Sequence, residues 1–175
     1  MKKVICIQHY SSLCGELIIA STEDALCLCD WNDMPCAERS RRRLERLLNA
    51  EFRKRSSAVI EEAKRQLDEY FAGKRREFEI PLLPVGTDFQ LCVWKALLDI
   101  PYGETRSYME IAKAIGNEKG VRAVAQAIGA NGIDIFVPCH RVIGSNHSLT
   151  GYAGGLEKKE FLLKHEKHVF REKMW

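Results

Sequence analysis

Two helix-start signatures in the second half of the chain restrict its folding more than any other feature. They are Thr87 with Gln90, and Ser107 with Glu110. A Ser or Thr followed three positions later by Gln or Glu lets side chain and backbone cap each other, which fixes a first helical turn. The first helix then runs through Leu98 and is stopped by Pro101 and Gly103. The second carries Tyr108, Ile111, Ala112 and Ile115 inward and stops at Gly116; Asn117 caps a third, with Val121, Val124, Ala125 and Ile128 as its apolar face. Two short helices joined by the Gly116-Asn117 turn make a helix-turn-helix arrangement, although an ordinary α-hairpin has the same spacing. The outward side chains of the later helix are small (Gly120, Ala123, Ala127, Gly129), with Arg122 the one long cation. Major-groove readers present several polar side chains to base edges. A smooth helix instead suits close approach to a minor groove, or to another helix.

The first part of the chain reads as strands followed by helices. Residues 4–7, 16–21 and 25–31 carry β-formers in short runs, separated by Ser11-Ser12 and Glu23-Asp24. A helix over 38–52 places Leu44, Leu47, Leu48 and Phe52 on one face; a second carries Ile60, Ala63, Leu67, Tyr70 and Phe71, with Gly73 as its stop. Residues 74–86, with Pro81, Pro84 and Gly86, read as an exit strand and linker. The expected fold class is α/β (α+β): a strand-plus-helix domain over 1–80 and a mostly helical domain over 81–175.

Charge narrows the partners. Lys and Arg number 27 against 24 Asp and Glu, a net charge of +3, too slight to coat nucleic acid by charge alone. Any DNA contact is therefore short and local. The arginines at 41–43 are interleaved with Glu38 and Glu45, as on a solvated helix face. No apolar run approaches the ~18–20 residues of a membrane span. The opening Met-Lys-Lys-Val-Ile-Cys-Ile begins like a signal peptide, but Gln8, His9 and Tyr10 cut its apolar core short, so a cytoplasmic protein is expected.

The seven cysteines, at 6, 14, 27, 29, 36, 92 and 139, form no regular disulfide framework. In a reducing compartment free thiols pack as small hydrophobes. Cys27 and Cys29, with Cys36 and either Cys6 or His9, could frame a zinc site, but core packing is the simpler reading and no metal is expected. His147, His165 and His168 lack the spacing of a catalytic zinc motif.

One cysteine stands apart. Asn131-Gly132 marks a turn, 133–137 reads as a short buried strand, and Pro138 then places Cys139 at a rigid bend beside His140. An adjacent imidazole can lower a thiol's pKa to roughly 3.5–7.5 and supply a nucleophile at neutral pH.

Pro138-Cys139-His140-Arg141-Val142, with Asn131 before it and Gly151-Tyr152-Ala153-Gly154-Gly155 after it, resembles the active-site region of the O6-alkylguanine-DNA alkyltransferases. The resemblance extends through Thr87-Asp-Phe-Gln, Val93-Trp94, Ile100-Pro-Tyr-Gly-Glu-Thr-Arg-Ser-Tyr108, Gly116-Asn117, Arg122-Ala-Val124 and His165-Glu166. The first part is similar only in length and element order, which by resemblance makes it ribonuclease-H-like.

The resemblance implies DNA repair by irreversible, single-turnover transfer of a methyl or larger alkyl group from O6-alkylguanine, or O4-alkylthymine, to Cys139, without a cofactor. His140 takes the thiol proton through a water, Glu166 orients His140, and Asn131 ties the turn. Tyr108 donates toward the leaving guanine and crowds the backbone. Arg122 fills the stack as the nucleotide flips from double-stranded DNA held at its minor groove. Asn117 and Ser145 contact the DNA backbone; Val142, Tyr152, Ala153 and Ile128 wall the base pocket. A monomer is expected. Two positions depart from the family pattern. Ala153 stands where some members have a serine, and Asp134 where some have a proline at the pocket rim. From the residues alone, a non-enzymatic helix-turn-helix binder and a Cys-His hydrolase remain open.

Overall fold

The computed structural model describes residues 1–172; side chains from residue 168 onward, His168 included, lie outside the described set. Among the described residues no helix is long and apolar enough to cross a membrane. The chain divides into two compact units, Met1–Gly86 and Thr87–Trp175.

The first unit contains β1 (Lys3–Ser12), β2 (Gly15–Ser21), β3 (Leu26–Trp31), α1 (Pro35–Leu48), β4 (Ala50–Arg53) and α2 (Ala58–Phe71). The sheet order is β3-β2-β1-β4, antiparallel through β1–β3 and parallel between β1 and β4. Side chains alternate across it. Ile5, Ile7, Ile18 and Ala20 pack with Ala37 and Leu44 of α1. On the opposite face Tyr10 donates to Asp68 at 2.6 Å and Ser21 meets Ser57 at 2.6 Å, which places α2 there. All five apolar residues expected inside α2 are buried, and Gly73 ends the segment at φ 73°.

Three local readings change. The helix expected over 38–52 starts at Pro35 and stops at Leu48 because Asn49 turns left-handed, at φ 50°. Asparagine tolerates that conformation better than most residues, so the chain leaves as β4 and delivers Phe52 to the core from a strand. Part of the expected linker belongs to the first unit: Leu26 N–H donates to Pro81 O at 2.9 Å, and Leu83 N–H to Leu26 O at 2.8 Å. Core packing describes Cys6, Cys27, Cys29 and Cys36, but Cys14 is half-buried and Cys92 exposed. Among the described residues no three His, Cys, Asp or Glu side chains converge as metal ligands.

The second unit contains α3 (Asp88–Leu97), β5 (Arg106–Ser107), α4 (Tyr108–Ala114), α5 (Val121–Gly129), β6 (Val142–Ile143) and α6 (Leu156–Glu172). Both capping boxes form, with Thr87 and Gln90 opening α3 and Ser107 and Glu110 opening α4. Gly116 supplies the left-handed turn, at φ 73°. Asn117 does not cap α5. A 3-10 turn over Glu118–Gly120 intervenes, and a Cβ on Gly120 would lie only 2.4 Å from Asn117 Nδ2. Gly120 is thus small to accommodate Asn117. Ala127 faces inward, and its carbonyl accepts from Trp94 Nε1 at 2.7 Å, tying α5 to α3. The outward small residues reduce to Ala123 and Gly129, beside exposed Arg122.

Residues 133–137 are buried as expected but form a tight turn rather than a strand. Ile135 sits at φ 73°, a costly conformation for a β-branched residue.

Candidate active site

The turn is held by one side chain. Asn131 Oδ1 accepts from Ile133 N at 3.0 Å, while its Nδ2 reaches Val137 O at 3.0 Å and Cys139 Sγ at 3.2 Å. These bonds close the loop and offset the strain at Ile135. A 3-10 turn over Cys139–Arg141 follows Pro138, so Cys139 meets Asn131 while His140 and Arg141 both reach α6. All three are buried.

His140 and Arg141 converge on Glu166 of α6. His140 Nε2 lies 2.7 Å from Glu166 Oε1, while Arg141 donates through Nε to Oε2 at 2.9 Å and through Nη2 to Oε1 at 3.0 Å. A third guanidinium bond, from Nη1 to Ile100 O at 2.7 Å, completes the clamp. Burial works to raise the Glu166 carboxyl, but His140 and Arg141 outweigh it and hold the group well below the usual carboxylate range. An ionised carboxylate only accepts, so it selects the His140 tautomer with the proton on Nε2. Nδ1 then presents its lone pair, and it is buried without a hydrogen-bond partner among the described residues.

Parallel pairing of β5 with β6, Arg106 opposite Val142, brings the start of α4 beside the Cys139 turn. Tyr108 Oη donates to Thr150 O at 2.7 Å. Lys159 Nζ donates to Thr150 O and Gly151 O, each at 3.0 Å, and sits 5.7 Å above the Tyr108 ring. Burial raises the Tyr108 phenol above its ordinary value, so it remains a proton donor at neutral pH. Burial pulls the Lys159 ammonium down to about 8, against a smaller upward pull from Cys139. Gly151 must be small here: its φ is +62°, and a Cβ would lie 3.2 Å from Tyr108 Oη. Gly151→Ala is expected to cost about 1–2 kcal/mol, read as a lower urea midpoint, and to slow any reaction that needs Tyr108 in place.

The expected residues fall into distinct places. Asn131 and Cys139 form one buried group and His140 and Glu166 a second, joined to it through the chain at Cys139-His140; the Tyr108 phenol lies near the Cys139 sulfur. Ile128 and Val142 are buried, while Tyr152 and Ala153 are half-buried. None of those four lines the ≈ 370 Å³ cavity bounded by Gly103, Ile143, Leu149, Leu163 and Glu166. Arg122 and Ser145 are exposed and Asn117 is half-buried. Asp134 is not at a rim. It is 2% exposed, and its Oδ1 lies 3.3 Å from both Cys139 Sγ and Asn131 Nδ2.

Arg141 and Lys159 are structural members of the site that carry no expected role in the sequence. Lys159 had a legible signal: it precedes Glu166 by two helical turns and so shares its buried face.

Residues 88–168 match the family model described as the 6-O-methylguanine DNA methyltransferase DNA binding domain, and residues 5–84 match its ribonuclease-like domain. A constitutive methylated-DNA–protein-cysteine methyltransferase of Bacillus subtilis is 49% identical over 91% of this chain and 93% of its own. A methylated-DNA–protein-cysteine methyltransferase of Methanosarcina acetivorans is 63% identical over 60% of this chain and 67% of its own. Among solved structures, an O6-methylguanine methyltransferase of Mycobacterium tuberculosis aligns with TM-score 0.80 and 42% identity over 94% of both chains. Its structure in complex with DNA aligns with TM-score 0.80 and 40% identity, over 95% of this chain and 94% of that one.

Proposed function

The chain belongs to the 6-O-methylguanine DNA methyltransferase family, and from that membership we infer that it repairs DNA by moving an alkyl group from guanine O6 to Cys139. The observation that carries the choice of acceptor is the buried Cys139 turn adjoining the His140–Glu166–Arg141 cluster.

The Cys139 proton passes through a water to His140 Nδ1, a buried nitrogen that needs a partner. Glu166 stabilises the resulting imidazolium. The thiolate attacks the alkyl carbon; the C–S bond forms as the C–O6 bond breaks, and guanine leaves with the electron pair. Tyr108 donates toward that guanine, which requires its hydroxyl to turn away from Thr150 O. The thioether is stable, so each molecule acts once and needs no cofactor. O4-alkylthymine offers the same electrophilic carbon.

DNA is the partner, held at its minor groove against the smooth outer face of α5, with Arg122 replacing the flipped nucleotide. Asn117 and Ser145 contact the backbone; Ile128, Val142, Tyr152 and Ala153 wall the base pocket. Ala153 offers no hydroxyl to the base, a loss of about 0.5–1.5 kcal/mol of discrimination. A monomer in the cytoplasm suffices for this reaction.

Incubation with a duplex containing O6-methylguanine, followed by intact mass and peptide mapping, tests the reading. One methyl group per molecule is expected on the Cys139 peptide, and none in Cys139→Ala. Unmodified protein that still binds DNA would leave a non-enzymatic binder. Turnover of an ester or amide without lasting modification would leave a Cys-His hydrolase.

A further inference from the structure

Resting on Cys139 as the acceptor, we propose that the Asp134 carboxylate, by accepting the Cys139 Sγ–H, keeps the sulfur in its thiol form in the free protein. The sulfur has both an acceptor and a donor beside it. It donates to Asp134 Oδ1 at 3.3 Å and lies 3.2 Å from the donor Asn131 Nδ2. As a thiol, both bonds are made. As a thiolate, the sulfur keeps the Asn131 bond but faces a carboxylate oxygen at van der Waals range in a site from which water is largely excluded. Asp134 is 2% exposed and Cys139 5%. Like charges so placed disfavour the second ionisation.

Asp134 holds the proton without being its destination. An ordinary carboxyl is about four to five pH units more acidic than an ordinary thiol, whereas imidazole is about two units away. Transfer to Asp134 is therefore the steeper step, and His140, backed by Glu166, is the better sink. The charged and titratable groups around the sulfur, Lys159 and Tyr108 near it and the adjoining Arg141–Glu166 pair, pull both ways. The Lys159 ammonium favours the thiolate and the Tyr108 phenol is neutral; Arg141 and Glu166 largely offset one another. Asp134 is an anionic group in direct contact with it. The arrangement guards a single-use acceptor from stray electrophiles: the thiolate forms at the expense of the Asp134 contact, when a bound alkylguanine supplies the electrophile.

Peptide-resolved alkylation by iodoacetamide as a function of pH, in DNA-free protein, reads the ionisation of Cys139 directly. Asp134→Asn keeps the shape and an acceptor oxygen but removes the charge. The midpoint is expected to fall by about 1–3 pH units, with at least tenfold faster modification of Cys139 at pH 7. An unchanged midpoint overturns the proposal, and a raised midpoint with slower modification makes Asp134 a base instead. If that variant fails to fold, the 13Cβ shift of labelled Cys139 in the unsubstituted protein, assigned through Cys139→Ser, decides. A thiol-to-thiolate midpoint of that shift above the ordinary thiol value of about 8.5 supports the proposal, and a midpoint at or below it overturns it. Failure of the unsubstituted protein to take a methyl group from O6-methylguanine DNA would instead remove the acceptor reading, whatever iodoacetamide shows.

Discussion

Glu166→Gln is expected to lower unfolding free energy by about 3 kcal/mol and to slow alkyl transfer by roughly two orders of magnitude or more. The structural loss comes from Arg141. Its guanidinium is buried, and two of its three bonds end on the Glu166 carboxylate. A neutral amide leaves that charge uncompensated. The kinetic loss comes from His140, because an amide that presents its NH2 to Nε2 selects the wrong tautomer. The acid limb of stability reports whether Glu166 is held ionised in this cluster. The Glu166 carboxyl is held below its unfolded value, so its contribution is complete above the ordinary glutamate range near 4.3 and fades as pH falls below it. Urea midpoints of the unsubstituted protein should therefore decline more steeply below about pH 4–5 than those of Glu166→Gln. Parallel declines would show that Glu166 is not held ionised. Unchanged transfer at every pH would remove it from the proton path.

The parts of the fold visible in the sequence were those with local causes. The capping boxes at Thr87 and Ser107 form because both partners lie within one turn, and the five apolar residues of α2 follow helical spacing. Residues 38–52 misled for the converse reason. Phe52 extends the helical spacing of Leu44 and Leu48, but Asn49 breaks the backbone and β4 is stabilised by β1, far away in sequence. Likewise 133–137 carries the apolar residues of a strand, yet Asn131 binds both ends of the segment and folds it into a turn. Arg141 and Asp134 were the hidden site residues, because the contacts that define them form only in the fold. Arg141 makes sense only once α6 brings Glu166 to it, and Asp134 only once the turn folds it against Cys139.

Arg122→Ala is expected to slow repair of O6-methylguanine in duplex DNA by about ten- to a hundredfold while leaving transfer from free O6-benzylguanine nearly unchanged. Arg122 is exposed on α5, without a hydrogen bond or ion pair among the described residues, so truncation leaves the fold intact. Its neighbours would leave it room to enter a base stack. Ala123 adds little bulk, and a Cβ on Gly129 would meet nothing within 4 Å, so its smallness is not required by packing inside the protein. A side chain that occupies the gap in the base stack offsets part of a flipping cost of a few kcal/mol, and each ~1.4 kcal/mol lost is tenfold in rate. Free base needs no flipping and should not register the loss. The salt dependence of duplex binding then separates insertion from phosphate neutralisation. Were Arg122 to neutralise a phosphate, its truncation would reduce the slope of log affinity against log salt by about 1. Insertion into the stack leaves that slope nearly as it was. Equal slowing on both substrates would place the defect in the Cys139 site and deny Arg122 a part in flipping.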